Sequence, residues 1–133
     1  MKVRIGIMSE PLIRVRLLAI AQGQYKPQDN EPKIWYTSIS AVSHILCPEN
    51  IELLRLIDTE RPESLTQLTE LTGRAKSNLS KTLKTLNEKG FVRLEQGHGK
   101  TIRPVALFTD FEIVTDSKLE HCLHLLSLGQ SAA

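Results

Sequence analysis

Residues 64–103 constrain the fold of this chain more than any other stretch, because single glycines separate two short apolar stripes from a basic, alternating run. Ser64 and Gln67 have the spacing of a capping box, in which each side chain satisfies a free amide in the first turn of a helix. Leu65, Leu68 and Leu71 then mark a buried stripe, and Gly73 supplies the left-handed conformation that turns the chain sharply out of that helix. A second helix is predicted over residues 76–89, with Leu79, Leu83 and Leu86 inward at helical spacing. Its opposite face is Ser77, Asn78, Ser80, Lys81, Lys84 and Thr85, all of them small, hydrogen-bonding or cationic. Gly90 ends it. Phe91, Val92 and Leu94 begin a strand, Gly97, His98 and Gly99 make a turn, and residues 101–107 return. Two helices joined by a sharp turn and followed by a hairpin predict a helix-turn-helix with a wing.

The flanks read as additions to that motif. Val3, Ile5 and Ile7 alternate with Lys2, Arg4 and Gly6, the pattern of a half-buried strand. Ser9 is placed to cap a helix with Pro11 in its first turn, running to about Gln22 before Gly23. That helix carries Leu12, Ile13, Val15, Leu17, Leu18, Ala19 and Ile20, is apolar nearly all round, and so predicts partners on more than one side. Residues 23–33, with Pro27, Asp29, Asn30 and Pro32, read as a polar linker. Residues 34–37 form a second short strand that holds the single tryptophan, Trp35.

Ser38 is then placed to cap a helix with Ile39, Val42, Ile45 and Leu46 inward. Pro48 opens the next helix, residues 48–59, whose core side is Ile51, Leu54 and Ile57, helped by Leu53 and Leu56. Arg61 and Pro62 break it. Residues 111–115 are β-like, and Ser117 is placed to cap a last helix with Leu119, Cys122, Leu123 and Leu126 on one side. Leu125 and Leu128 widen that apolar face, and His44 lies at the edge of its own helix with no special role.

The fold class expected is mainly α with a small β-hairpin wing (α+β). A winged helix-turn-helix spans residues 38–108. Residues 1–37 form an N-terminal strand, helix and linker that serve as a dimerisation arm, and residues 109–133 a C-terminal strand and helix extension. A chain of 133 residues has room for one domain with extensions and is short for two. With 41% hydrophobic and 24% charged residues it falls among ordinary globular chains. No apolar run approaches the ~20 residues that span a bilayer, so no membrane partner is expected. Residues 1–20 carry arginines within their apolar part and no small-residue cleavage site, unlike a secretory signal. Cys47 and Cys122 show neither metal-type spacing nor a disulfide framework, which fits a reduced, cytoplasmic setting.

The formal net charge of +2 conceals an asymmetry. Residues 73–103 hold eight basic side chains (Arg74, Lys76, Lys81, Lys84, Lys89, Arg93, Lys100, Arg103) against Glu88 and Glu95, a segment of +6 on a body of −4. A local basic surface on a mildly acidic body is the footprint of a polyanion binder. Glu88 and Glu95, isolated in that basic region, suit ion pairing better than acid–base chemistry.

Residues 71–92 resemble the recognition-helix signature of winged-helix transcriptional regulators of the MarR-like kind. More narrowly, residues 2–114 resemble a small bacterial and archaeal family of winged-helix DNA-binding proteins. The likeness rests on the strand around Val3, Arg4, Ile5 and Gly6, on Trp35, Tyr36, Thr37 and Ser38 before a helix, on residues 48–56, and on Arg103, Pro104 and Val105 after the wing. It implies a sequence-specific transcriptional regulator, a repressor; the surplus apolar surface of residues 12–21 and 119–128 and of the strands at 3–7 and 111–115 predicts that it acts as a homodimer. Some members of that group are encoded beside small toxin genes, so it also permits an antitoxin-like protein with a protein toxin partner.

Double-stranded DNA is the partner these residues fit best. Ser77, Asn78, Ser80 and Lys81 lie early on the predicted recognition helix and outward, where they meet base edges. Asn78 can pair bidentately with adenine and Lys81 with guanine. Arg74 and Lys84 suit phosphates, as do the backbone amides at Ser64 and Thr66, and Lys76 belongs to the same DNA-binding face. The hairpin tip, His98 and Lys100 with Arg103 behind, would follow the backbone or enter the minor groove. A metal-responsive sensor is the alternative: His121, Cys122 and His124 share one helix, yet no carboxylate or further cysteine stands at ligand spacing, so no metal and no cofactor are assigned. No nucleophile elbow, phosphate loop or metalloprotease signature is present, and the chain is not expected to be an enzyme.

Overall fold

The alternation of apolar and polar residues from Lys2 and the glycine-punctuated helices beyond it build an α+β structure in the computed structural model, which describes residues 1–129. The described residues hold six helices and five strands in two compact units. The last four residues of the expected C-terminal extension, 130–133, lie outside the described residues.

One unit comprises Met1–Lys2 and His44–Asp110. Its helices are α3 (Pro48–Glu60), α4 (Leu65–Thr72) and α5 (Lys76–Glu88), and its hairpin pairs β3 (Val92–Gln96) with β4 (Ile102–Ala106); the remaining strands and helices, numbered in the same order, lie wholly or mostly in the other unit. Pro48 opens α3 because its missing N–H would go unbonded there anyway. Arg61 ends α3 with φ 49°, the single non-glycine residue with positive φ among those described, and its N–H donates to Ile57 O at 3.0 Å. Leu53, Leu54 and Ile57 are the buried residues of α3, so the core register falls on Leu53 while Ile51 is half-buried. Leu79, Leu83 and Leu86 are buried on α5 as their spacing predicts, each worth about 1.5–3 kcal/mol of transfer free energy. Together with Leu68, Phe91 and Val92 they make the interior against which α5 meets β3 and α3 meets β4.

The sequence expectations for α4 need two corrections. Ser64 Oγ accepts from Gln67 N at 3.0 Å, but Gln67 Oε1 accepts from Glu63 N at 2.8 Å, one residue before the capping serine. The reciprocal bond therefore ties down the α3–α4 connection. Leu71 is 42% exposed rather than buried: α4 has barely two turns, and only Leu68 at the centre of its stripe is fully covered.

The second unit comprises Val3–Ser43 and the described residues from Phe111 onward. Its sheet has the order β2-β1-β5, formed by β1 (Lys2–Ile7), β2 (Ile34–Tyr36) and β5 (Asp110–Val114). β1 and β2 run parallel with Ile5 opposite Ile34, Gly6 opposite Trp35 and Ile7 opposite Tyr36. Parallel pairing requires a crossover, which α1 (Glu10–Ala21) and the linker supply. A Cβ on Gly6 would stand 2.2 Å from the Trp35 ring, so glycine is what lets the indole lie on β1. α1 packs on α6 (Ser117–Ser127) around Met8, Leu119 and Leu123, with Leu12, Ile13, Val15, Tyr25, Trp35 and Leu126 against them.

Three caps and faces in this unit differ from expectation. Ser9 stands at the N-cap of α1 but its side chain makes no cap bond, and Pro11 removes one of the two amides that a cap would engage. Asp116, not Ser117, caps α6: its Oδ1 accepts from Lys118 N at 3.1 Å and Leu119 N at 3.0 Å. Ser38 does cap α2 (Ile39–Ile45), accepting from Ala41 N at 3.1 Å, yet Ile39 is 60% exposed and only Val42 of that short helix is buried.

Candidate nucleic-acid interface

The face of α5 opposite its leucines is open to solvent. Lys76, Ser77, Asn78, Ser80, Lys81 and Lys84 are all exposed, and Thr85 is half-buried with its hydroxyl donating to Lys81 O at 3.1 Å. Sequence reasoning missed how the helix begins. Its N-cap is Ala75, which offers no side-chain bond, so the first-turn amides are left for solvent or a ligand beside Lys76 and Ser77. The signal was legible: alanine stands where Ser, Thr, Asp or Asn would otherwise be favoured.

Arg74 is not a free cation reaching outward. One of its guanidinium nitrogens donates to Glu49 O at 3.2 Å, which ties the α4–α5 turn to the first turn of α3. The Glu49 carboxyl is held below its usual range, chiefly by a backbone hydrogen bond and one from Cys47, with Arg74 adding attraction.

The hairpin presents a second patch. Gly97 N donates to Thr101 O at 2.9 Å and closes the tip. A Cβ on Gly97 would stand 2.6 Å from Thr101 Oγ1 and 3.2 Å from Glu63 O, so the close approach of the tip to the start of α4 needs glycine. Between them lies a shallow cleft of about 470 Å³ whose lining includes Ser64, Gln67, His98, Thr101 and Arg103, and no residue of α5. Lys100 is exposed beside Ile102 on the hairpin.

Arg103 and Glu95 face one another in register, with Arg103 Nη2 donating to Glu95 Oε1 at 2.6 Å. Arg93 Nη2 lies 3.2 Å from Glu95 Oε2. One carboxylate thus holds two guanidiniums, and the Arg103 hydrogen bond keeps the Glu95 carboxyl below its ordinary range. Glu95 meets the expectation of ion pairing. Glu88 does not: it is exposed and has no ion pair among the described residues.

The histidines of the metal alternative are both exposed on α6, with Cys122 half-buried between them. Among the described residues no three His, Cys, Asp or Glu side chains gather where they could hold a metal ion.

The fold and this surface describe a small α+β chain that displays one basic, polar helix face and one basic hairpin. Residues 45–113 match the family model HVO_A0114, and the chain belongs to that family. No curated protein and no solved structure matches it. No helix among the described residues is long and apolar enough to cross a membrane.

Proposed function

We propose that the unit containing α3, α4, α5 and the β3–β4 hairpin is a winged helix-turn-helix in the manner of MarR-like regulators, and that the protein regulates transcription by binding duplex DNA. The observation that carries this reading is the face of α5. Six exposed polar or cationic residues there share one side of a helix whose other side is fully buried leucine, inside a segment of charge +6. A helix fits the major groove, where Asn78 and Lys81 reach base edges while Lys76 and Lys84 neutralise phosphates. His98, Lys100 and Arg103 give the wing its backbone contacts. Surface lysines that merely solubilise have no reason to concentrate on one helix and one hairpin while the rest of the chain is acidic.

The reading includes a homodimer. Leu17 and Leu18 are 59% and 54% exposed on α1, and Leu128 is 60% exposed just after α6. Contiguous apolar patches of more than a few hundred Å² are seldom left to water on monomers, and these leucines are candidates to form one. A two-fold dimer would set two copies of α5 on successive turns of a palindromic operator.

Retardation of a duplex carrying the promoter of its own gene, followed across salt concentration, tests the proposal. Neutralising ~6 phosphates per subunit gives a log–log slope of affinity against salt near −5. No retardation, or binding indifferent to salt, rejects it.

A further inference from the structure

In the second unit, a strap over residues 25–32, the first turn of α6 and Arg4 line a cavity of about 300 Å³. That is the low end of the range for small-molecule sites, roughly 300–1,000 Å³. Val114, Leu119 and Pro32 give it an apolar wall, and Cys122 contributes a thiol.

Most of the charge around the cavity is already answered within the fold. Glu31 has both oxygens committed: Oε1 accepts from Arg16 Nε at 2.7 Å, and Oε2 from Tyr25 Oη at 2.7 Å and Gln28 N at 3.1 Å. Arg4 donates from Nη1 to Asn30 O on the strap, and its Nε lies 3.2 Å from Glu112 Oε1. Two groups remain, one of each sign. Asp116 spends Oδ1 on the α6 cap, accepting from Lys118 N at 3.1 Å and Leu119 N at 3.0 Å. Its Oδ2 has no hydrogen bond among the described residues. The Lys118 side chain is exposed at the rim with no partner among the described residues, Asp116 included. The cavity is therefore balanced in net charge yet dipolar. An anionic oxygen and a cationic nitrogen stand unpaired on one stretch of its wall, beside an apolar surface.

We infer that this cavity binds a small zwitterion, an α-amino acid with a short aliphatic side chain. Asp116 Oδ2 takes its ammonium, Lys118 its carboxylate, and Val114 and Leu119 its side chain. An anion would bring its charge against the Asp116 carboxylate, and a cation would bring its own against Lys118. A neutral apolar molecule would cover both charged groups without pairing either, which costs free energy. A molecule that carries both charges on one carbon answers each of them with a charge-assisted hydrogen bond and leaves the net charge of the wall unchanged.

The test titrates the full chain with valine, with isovalerate, which lacks the ammonium, and with isobutylamine, which lacks the carboxylate. Two readouts are followed: amide NMR shifts, and the alkylation rate of Cys122 resolved by peptide mass, with Cys47 in the other unit as internal control. Valine is expected to shift the amides of residues 28–32 and 116–119 and to slow Cys122 alkylation while leaving Cys47 unchanged. Each single-charge analogue should bind about tenfold more weakly, having lost one charged hydrogen bond. Asp116→Asn keeps the α6 cap, because an asparagine carbonyl accepts from the same two amides, but removes the charge. It should weaken valine by about tenfold and leave isovalerate no weaker. Lys118→Gln should weaken valine and isovalerate but not isobutylamine. Either analogue binding as tightly as valine, or valine binding indifferent to either substitution, overturns the assignment. So do shifts confined to other residues, or no shift with valine at millimolar concentration. None of these readouts involves DNA, so the result stands or falls apart from the DNA-binding proposal.

Discussion

Arg16 Nε donates to Glu31 Oε1 at 2.7 Å with both side chains almost wholly out of water. The same guanidinium lies 5.2 Å from the centre of the Trp35 ring, where a cation is attracted by the aromatic face. Arg16 sits in the middle of an apolar helix and Glu31 in a polar linker, so this pair anchors the strap that joins α1 to β2. Arg16→Leu alone should cost about 3–5 kcal/mol of stability, because the buried Glu31 carboxylate loses its countercharge. Arg16→Leu combined with Glu31→Leu should recover much of that loss. Urea denaturation of the two single variants and the double variant measures the coupling, and strictly additive losses would contradict it.

The two tyrosines make the fold sensitive to alkali. Burial pushes the Tyr25 phenol up, and its hydrogen bond to Glu31 pushes it further; burial alone raises Tyr36. A group whose folded pKa is raised favours its protonated form in the native state. Its contribution is therefore complete below the unfolded value of ~10 and is lost as pH climbs beyond that. Stability should fall as pH rises above ~10, and Tyr25→Phe should flatten the fall. Tyrosinate absorbance alongside denaturation at each pH is the measurement, and an unchanged slope for Tyr25→Phe would remove Tyr25 as the cause.

Base reading and backbone contact should separate by position. Asn78→Ala or Lys81→Ala is expected to relax discrimination at particular base pairs, by about 1–3 kcal/mol each. Lys100→Ala should weaken all duplexes alike and make the salt slope shallower. Arg103→Ala should do so too, with a larger loss because Glu95 is then left with Arg93 as its single cationic partner. A mismatch series on each variant checks this. A uniform loss for Asn78→Ala would mean that α5 meets DNA in another rotation.

Leu17→Glu should convert the proposed dimer to a monomer and lower affinity for the proposed operator while the unit that holds α3, α4 and α5 stays folded. Sedimentation and thermal denaturation report the two effects separately. A wild-type monomer at micromolar concentration ends the dimer proposal and the expectation of a palindromic site.

Much of this architecture was legible in order along the chain. Leucines at helical spacing fixed the buried side of α5, Pro48 and Gly73 fixed where helices start and turn, and alternation around Gly97 and Gly99 fixed the hairpin. These are local effects: a helix or strand shows its period wherever it lies, and a left-handed turn favours glycine, as at Gly73, although Arg61 takes the same conformation at the end of α3. The candidate interface was legible for the same reason, since a polar face is the complement of a buried one.

Tertiary structure alone decided the pairings that join distant residues. Nothing local tells Arg16 that its partner is Glu31, or Gly6 that the Trp35 ring will cover it. Register set Glu95 opposite Arg103, and packing turned Arg74 back to the Glu49 carbonyl instead of outward. Packing also left Ile39, Leu71 and Leu17 in water, although the sequence marks all three as apolar. Periodicity gives the face a residue occupies on its own element; whether that face is covered depends on how many other elements reach it, and the short helices α2 and α4 have too few turns to cover more than their central residue.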